Sequence, residues 1–214
     1  MKHDQIVCLK RVPVFKDLPE NILKQLTKVS THLVHYKKGE IIQSPNKNPG
    51  LVAIDKGQVK VYTLSSTGKE KILYIASDGS IYGQYQLFSG QRISSYVEAT
   101  KDTWVCLINH EEFQNFLKKF PVVTIDLLNS VGTKLIDFEI NASRRDLLKS
   151  KDRIYAYLQD WSLAARNSTF TLPIKKNEFA SLLGITPETL SRQLKQLCDT
   201  GKILVKANVI TILN

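Results

Sequence analysis

Four side chains near the end of this 214-residue chain have the types and spacing to read the edges of base pairs. Glu188, Ser191, Arg192 and Lys195 recur at i, i+3, i+4 and i+7, so a helix would gather them on one face. Arginine can donate twice to guanine O6 and N7, a carboxylate can accept from cytosine N4, and a hydroxyl can do either. Around them, Lys176, Thr186, Thr189 and Lys206 suit phosphate oxygens, which fix register without reporting sequence. The other residues with chemistry to offer are Cys8, Cys106 and Cys198. They are too few and too far apart for a disulfide framework or a zinc finger, and remain candidates for one redox pair plus a bystander. Among the residue patterns there is no nucleophile–base constellation, phosphate-cradling glycine loop or metal-hydrolase motif, which argues against an enzyme.

A base-reading face needs a rigid helix, and the segment NEFASLLGITPETLSRQLKQLCDTGKI (177–203) supplies one. Phe179, Leu182 and Leu183 form a short apolar face, and Gly184 sits where a tight turn between helices needs positive φ. Thr186 can cap the second helix, with Pro187 at its first position and Glu188 in its first turn. Leu190, Leu194 and Leu197 give the buried side, and Gly201 stops the helix. ILVKANVITIL then reads as two strands around a turn at residues 206–208. Helix, glycine turn, helix and hairpin together predict a winged helix-turn-helix, preceded by a helix over KDRIYAYLQDWSLAAR and a short strand in RNSTFTL.

Upstream, Asn109 with Glu112 predicts a capped helix that ends at Phe120-Pro121. A longer helix should follow from Pro121 to about Arg145. Its apolar positions Ile125, Leu128, Leu135, Phe138 and Ala142 repeat every three or four residues, with Val131 close by. Such a stripe fits a parallel partner helix in a dimer, or a helix lying back on its own domain. Between about 32 and 108, strand-length segments (HLVHY, LVAI, VKVYTL, KILYIA, SYVEAT, TWVCLI) alternate with turn signals such as DKG and SDGS. That rhythm predicts a jelly roll or sandwich. An N-terminal helix in DLPENILKQLTKV should be capped by Asp17, with Glu20 three residues on.

The charge is uneven. The chain carries 30 basic and 20 acidic residues, and residues 148–214 hold 10 of the basic ones against five acidic. The last third is thus about twice as positive per residue as the rest, which points a polyanion there: nucleic acid, or an anionic membrane surface. A 43 % hydrophobic content excludes general disorder, and no apolar run is long enough to span a bilayer. The start, MKHDQIVCLKR, lacks a signal-peptide core, so the expected location is the cytoplasm.

These motifs resemble the CRP/FNR superfamily of bacterial transcription regulators. The resemblance runs through PVFKDLPENIL, KKGEII, DKGQVKVY, GKEKILYIA and GITPETLSRQLKQL to the final hairpin, essentially the whole chain. It implies an α+β protein: a cyclic-nucleotide-binding-type β jelly roll as sensor (1–120), a dimerisation helix (121–147) and a winged helix-turn-helix (148–214). It also implies a homodimer on palindromic promoter DNA, with RNA polymerase as a further partner and no membrane. The string Glu-Thr-Leu-Ser-Arg resembles the FNR branch, in which the residues matching Glu188, Ser191 and Arg192 read a TTGAT-like half-site. Pro187 departs from both main branches and leaves the outermost base open.

The family's cyclic-nucleotide pocket resembles Gly-Glu-Leu followed about ten residues later by Arg-Ser. Here the segment is YGQYQLFSGQRISSY (82–96), so Gly83 and Ser94 remain, Gln84 replaces the glutamate, and Arg92 falls one position early with Ile93 in its place. A one-residue shift on a strand turns a side chain to the other face. No cyclic AMP is expected in this degenerate effector pocket. An iron–sulfur cluster is not expected either, because the family's clusters take four cysteines. The early Cys8 and central Cys106 instead resemble the cluster-lacking FNR-like proteins of Gram-positive bacteria, and the implied device is a reversible dithiol–disulfide switch. Lys10 and Arg11 would favour the Cys8 thiolate. The residues also fit two small buried hydrophobes, or thiol ligands for zinc with His3 or His110. Two further alternatives stay open: a small-molecule effector such as a peptide thiol, or a regulator needing none, its pocket filled by Tyr82, Tyr85 and Phe88.

Overall fold

The computed structural model describes residues 5–45, 50–84, 86–89 and 94–213. Three short helices lead in: α1 (Gln5–Arg11), α2 (Pro13–Lys16) and α3 (Glu20–Leu26). The strands follow as β1 (Ser30–Tyr36), β2 (Ile41–Gln43), β3 (Leu51–Lys56), β4 (Gln58–Leu64), β5 (Glu70–Ser77) and β6 (Ile81–Tyr82). The short helix α4 (Gln86–Ser89) precedes β7 (Tyr96–Ala99) and β8 (Thr103–Ile108). Helices α5 (His110–Lys119), α6 (Pro121–Leu147) and α7 (Ser150–Ala165) come next. The chain closes with β9 (Thr169–Thr171), α8 (Lys176–Leu183), α9 (Pro187–Asp199), β10 (Ile203–Lys206) and β11 (Val209–Ile212). It forms two compact units, Met1–Lys69 with Leu73–Leu135, and Glu70–Ile72 with Ile136–Asn214.

In the first unit two antiparallel four-stranded sheets face each other, in the orders β1-β8-β3-β6 and β2-β7-β4-β5. The chain passes between them at Gly57, whose φ of 127° and crowding against Thr103 leave no room for a Cβ. Val52, Ile54, Val59, Val61, Val97 and Val105 fill the space between the sheets. The outer face of the β3–β8 pair carries a second core, built with α1, α2, α3 and α5, in which Leu9, Phe15, Leu23 and Phe113 are fully buried. Cys8 and Cys106 belong to that core.

Asn109 caps α5 as the sequence predicts, its Oδ1 accepting from the Glu112 N–H at 3.1 Å. Asp17 does not cap α3. It closes α2, and α3 starts after Pro19, which has no side-chain acceptor to offer. Glu20 pairs instead with Lys24 one turn on, at 2.9 Å.

Helix α6 answers the question of its apolar stripe with two faces. Val123 and Leu127, one turn apart, are fully buried in the outer core of the first unit. Ile125, Leu128, Leu135 and Phe138 remain 45–62 % exposed. One edge lies on the chain's own domain, and another presents apolar surface.

In the second unit β9, β11 and β10 form a three-stranded antiparallel sheet beside α7, α8 and α9. Leu190, Leu194 and Leu197 bury the inner side of α9, and each contributes about 1.5–3 kcal/mol by leaving water. Trp161 packs on Phe179 with ring centroids 4.7 Å apart, joining α7 to α8.

Candidate nucleic-acid interface and thiol pair

The helix-turn-helix is fixed by local chemistry. Gly184 takes φ 68° between α8 and α9, a left-handed conformation that favours glycine. Thr186 then caps α9, its hydroxyl oxygen accepting from the Thr189 N–H at 3.2 Å. The same hydroxyl donates to the Thr189 hydroxyl at 3.2 Å. Glu188 sits in the first turn with its carboxyl held below the usual range by its own backbone N–H and by Thr186. It is therefore a charged acceptor near neutral pH.

With the leucines turned inward, Glu188, Ser191, Arg192 and Lys195 are all exposed on the opposite side of α9. Ser191 and Lys195 share a surface depression of about 220 Å³ with Lys176, Leu194, Cys198 and Val205. Two cations and a hydroxyl thus converge where a phosphate could sit. Lys206 is exposed on the wing, beside the β10–β11 turn where Ala207 adopts φ 53°. Of the residues expected at phosphates, Thr186 and Thr189 meet at the α9 N-terminus and Lys176 joins Ser191, while Lys206 stands apart on the hairpin.

The thiols are also brought together. Cys8 Sγ lies 2.6 Å from Cys106 Sγ, across 98 positions of sequence. Both are buried, at 1 % and 0 % exposure. The pair is asymmetric. The hydrogen bond shared with Cys106, and then burial, push the Cys8 thiol up, whereas the same hydrogen bond pulls Cys106 down. The backbone N–H of Leu33 also favours the Cys106 thiolate. That N–H is aimed by an irregularity in β1 between Thr31 and Val34, where Leu33 takes φ 47°. Non-glycine residues rarely adopt this conformation. Cys198 is half-buried on α9, far along the chain from this site.

The degenerate pocket is partly described. Gly83 takes φ 95° against the backbone of Gly50. Gln84 is fully buried, its Oε1 accepting from Lys134 Nζ at 3.2 Å and its Nε2 donating to Ser130 Oγ at 3.5 Å. Lys134 also donates to the Ile81 carbonyl and lies 5.8 Å from the centre of the Tyr74 ring. A neutral amide already bound to an ammonium is poorly suited to take ribose hydroxyls. Ser94 is exposed, while Arg92, Tyr85 and His3 lie outside the described residues. Tyr82 is buried, with its hydroxyl 2.7 Å from Ser95 Oγ. Phe88 does not fill the interior as one alternative required, since it is 46 % exposed. His110 is engaged with the Gln86 carbonyl at 3.1 Å. Among the described residues no three His, Cys, Asp or Glu side chains gather as a metal site.

Residues 33–120 match the cyclic nucleotide-binding domain family, and residues 152–214 match the Crp-like helix-turn-helix domain. Over 207 residues the chain is 31 % identical to the transcriptional regulator flp of Lacticaseibacillus casei, covering 97 % of this chain and 94 % of that protein. The chain belongs to the CRP/FNR family of transcription regulators. Another relative is the fumarate and nitrate reduction regulatory protein of Vibrio cholerae, 26 % identical and covering 99 % and 87 % of the two chains. Among solved structures, FixK2 from Bradyrhizobium japonicum superposes with a TM-score of 0.76 at 25 % identity, covering 87 % of this chain and 93 % of that one.

As in other members of the CRP/FNR family, the helix-turn-helix implies a DNA-binding regulator rather than an enzyme. No helix among the described residues is long and apolar enough to cross a membrane. Sequence reading missed Lys134, which sits off the apolar stripe of α6 and gives no signal of its reach to Gln84 across 50 positions. It also missed Asp55, whose one hint was a carboxylate ending the otherwise apolar run LVAID.

Proposed function

We propose that the chain is a homodimeric regulator of a palindromic promoter site and that a disulfide between Cys8 and Cys106 switches its affinity. Glu188, Ser191 and Arg192 read a TTGAT-like half-site, while Lys176, Thr186, Thr189 and Lys206 contact phosphates. The exposed stripe of Ile125, Leu128, Leu135 and Phe138 on α6 is the seam with the second copy. Two recognition helices related by a two-fold axis then meet half-sites one helical turn apart. No cyclic nucleotide, cluster or metal enters this reading. Gln84 lacks the charge that a ribose acceptor needs, and three cysteines are too few for the family's cluster. RNA polymerase is the further partner at such promoters.

The observation that carries the switch is the approach of the two sulfurs to 2.6 Å in a dry core. Closing to a bond of about 2.05 Å needs little motion of either side chain. Binding of a labelled duplex with two inverted TTGAT half-sites and a four-base spacer tests it, in dithiothreitol and after diamide. Diamide takes one hydrogen from each thiol as the S–S bond forms. An affinity change of about tenfold or more that Cys8→Ser abolishes is the expected result. Equal affinity in both states would make the cysteines structural.

A further inference from the structure

The thiol pair has a neighbour that the switch reading leaves unused. Asp55 is 3 % exposed, and a carboxylate that dry is normally paired. It lies on β3 two positions after Ala53, which is the register partner of Cys106 on β8. It sits at the irregularity in the β3–β8 pairing between Ile54 and Lys56, where strand alternation is broken, so its direction is given by its contacts with α1 rather than by the ladder. From α1, Arg11 stands one turn beyond Cys8, and its guanidinium donates to Asp55 Oδ1 at 2.9 Å. One face of α1 therefore meets the sheet twice, sulfur to sulfur and guanidinium to carboxylate. Asp55 faces Arg11 and Cys8 of α1 and Cys106 of β8.

We propose that Asp55, anchored by Arg11, is the positioning residue that sets how readily the Cys8–Cys106 pair oxidises. This rests on the redox reading above. A thiolate beside a buried carboxylate is a second negative charge in a region of low dielectric, and like charges disfavour it. The carboxylate opposes ionisation of both sulfurs in this way. Arg11 offsets part of that field and fixes the carboxylate in place.

With hydrogen peroxide as oxidant the step is balanced. The Cys106 thiolate attacks one peroxide oxygen, an S–O bond forms as the O–O bond breaks, and the departing hydroxide takes the Cys106 proton as water. Cys8 sulfur then attacks Cys106 sulfur, the S–S bond forms as the S–O bond breaks, and hydroxide leaves with the Cys8 proton as a second water. The thiols lose two hydrogens and one peroxide becomes two waters. Thiolate formation limits the first attack, so the neighbouring charge is read directly in the pH dependence of the rate.

The test measures the rate of Cys8–Cys106 disulfide formation by peroxide against pH, followed by peptide mass, in the full chain carrying Cys198→Ser. Asp55→Asn should move the inflection down by about one pH unit and speed closure about tenfold at neutral pH. Arg11→Gln leaves the carboxylate unopposed and should move the inflection up. Opposite shifts from the two partners support the proposal, because simple loosening of α1 would move both the same way. Shifts in one direction, or an Asp55→Asn profile that coincides with the parent, overturn it while the switch itself stands. If the parent closes no disulfide at all, the redox reading fails and this inference fails with it.

Discussion

The recognition helix and the thiol site are built on opposite plans. On α9 the cap, the inward leucines and the outward polar residues all lie within the 14 positions from Thr186 to Asp199. The outward side chains Glu188, Ser191, Arg192 and Lys195 are exposed, and their placement depends on the period of one helix. At the thiol site the partners are buried and come from four distant segments: Cys8 and Arg11 on α1, Leu33 on β1, Asp55 on β3 and Cys106 on β8. A surface that meets a polyanion can be specified locally. A buried cluster takes its members from segments that only tertiary packing brings together.

The largest expected effect comes from breaking the proposed dimer seam on α6. Leu135→Lys with Phe138→Lys adds two cations to the exposed stripe of α6 and should yield monomers by sedimentation. Losing the second recognition helix should weaken binding to the palindrome by on the order of 10²–10⁴-fold. Persistent dimers would remove the seam from α6. Next is Arg192→Ala, which should lose about 1–3 kcal/mol of discrimination at one guanine. Competition between the parent site and a site changed at that base pair measures it. Unaltered preference would take base reading away from Arg192 and leave α9 as a phosphate-binding helix.

The same contrast explains what could be read from the sequence. The helix-turn-helix was legible nearly residue by residue, because Gly184, Thr186 and the leucine spacing each act within one or two turns. The jelly roll was legible as six strand segments, yet β2 and β6, with three and two residues, were too short to stand out. Asp17 misled because its capping pattern is real but the chain turns earlier, spending that aspartate on α2. The two cysteines were legible as a pair through family resemblance alone. Nothing in the local sequence brings Asp55 to Arg11 or Lys134 to Gln84, since those meetings depend on how β3, α1 and α6 pack.

Smaller effects test whether the recognition region is as locally determined as this contrast requires. Thr186→Ala removes the hydroxyl that accepts from Thr189 N–H and should destabilise the fold by about 1 kcal/mol. Chemical denaturation measures this. If thiol closure in the first unit kept its rate in this variant, the two plans would be independent in fact as well as in layout.

The smallest effect is expected at Lys206. It is exposed at the end of β10, beyond the depression that gathers Lys176, Ser191 and Lys195. A lysine there can approach the backbone of DNA as a point charge but has no rigid geometry with which to choose a base. Lys206→Ala should therefore weaken binding only a few-fold and equally on every sequence, and should reduce the slope of log K against log salt by about one per half-site. Titrations at three salt concentrations on a specific and a scrambled duplex provide both readings. An equal loss on the two duplexes confines base reading to α9. A loss restricted to the specific duplex would extend it to the wing, and recognition would then depend on how the β10–β11 hairpin packs beside α9 as well as on the helix itself.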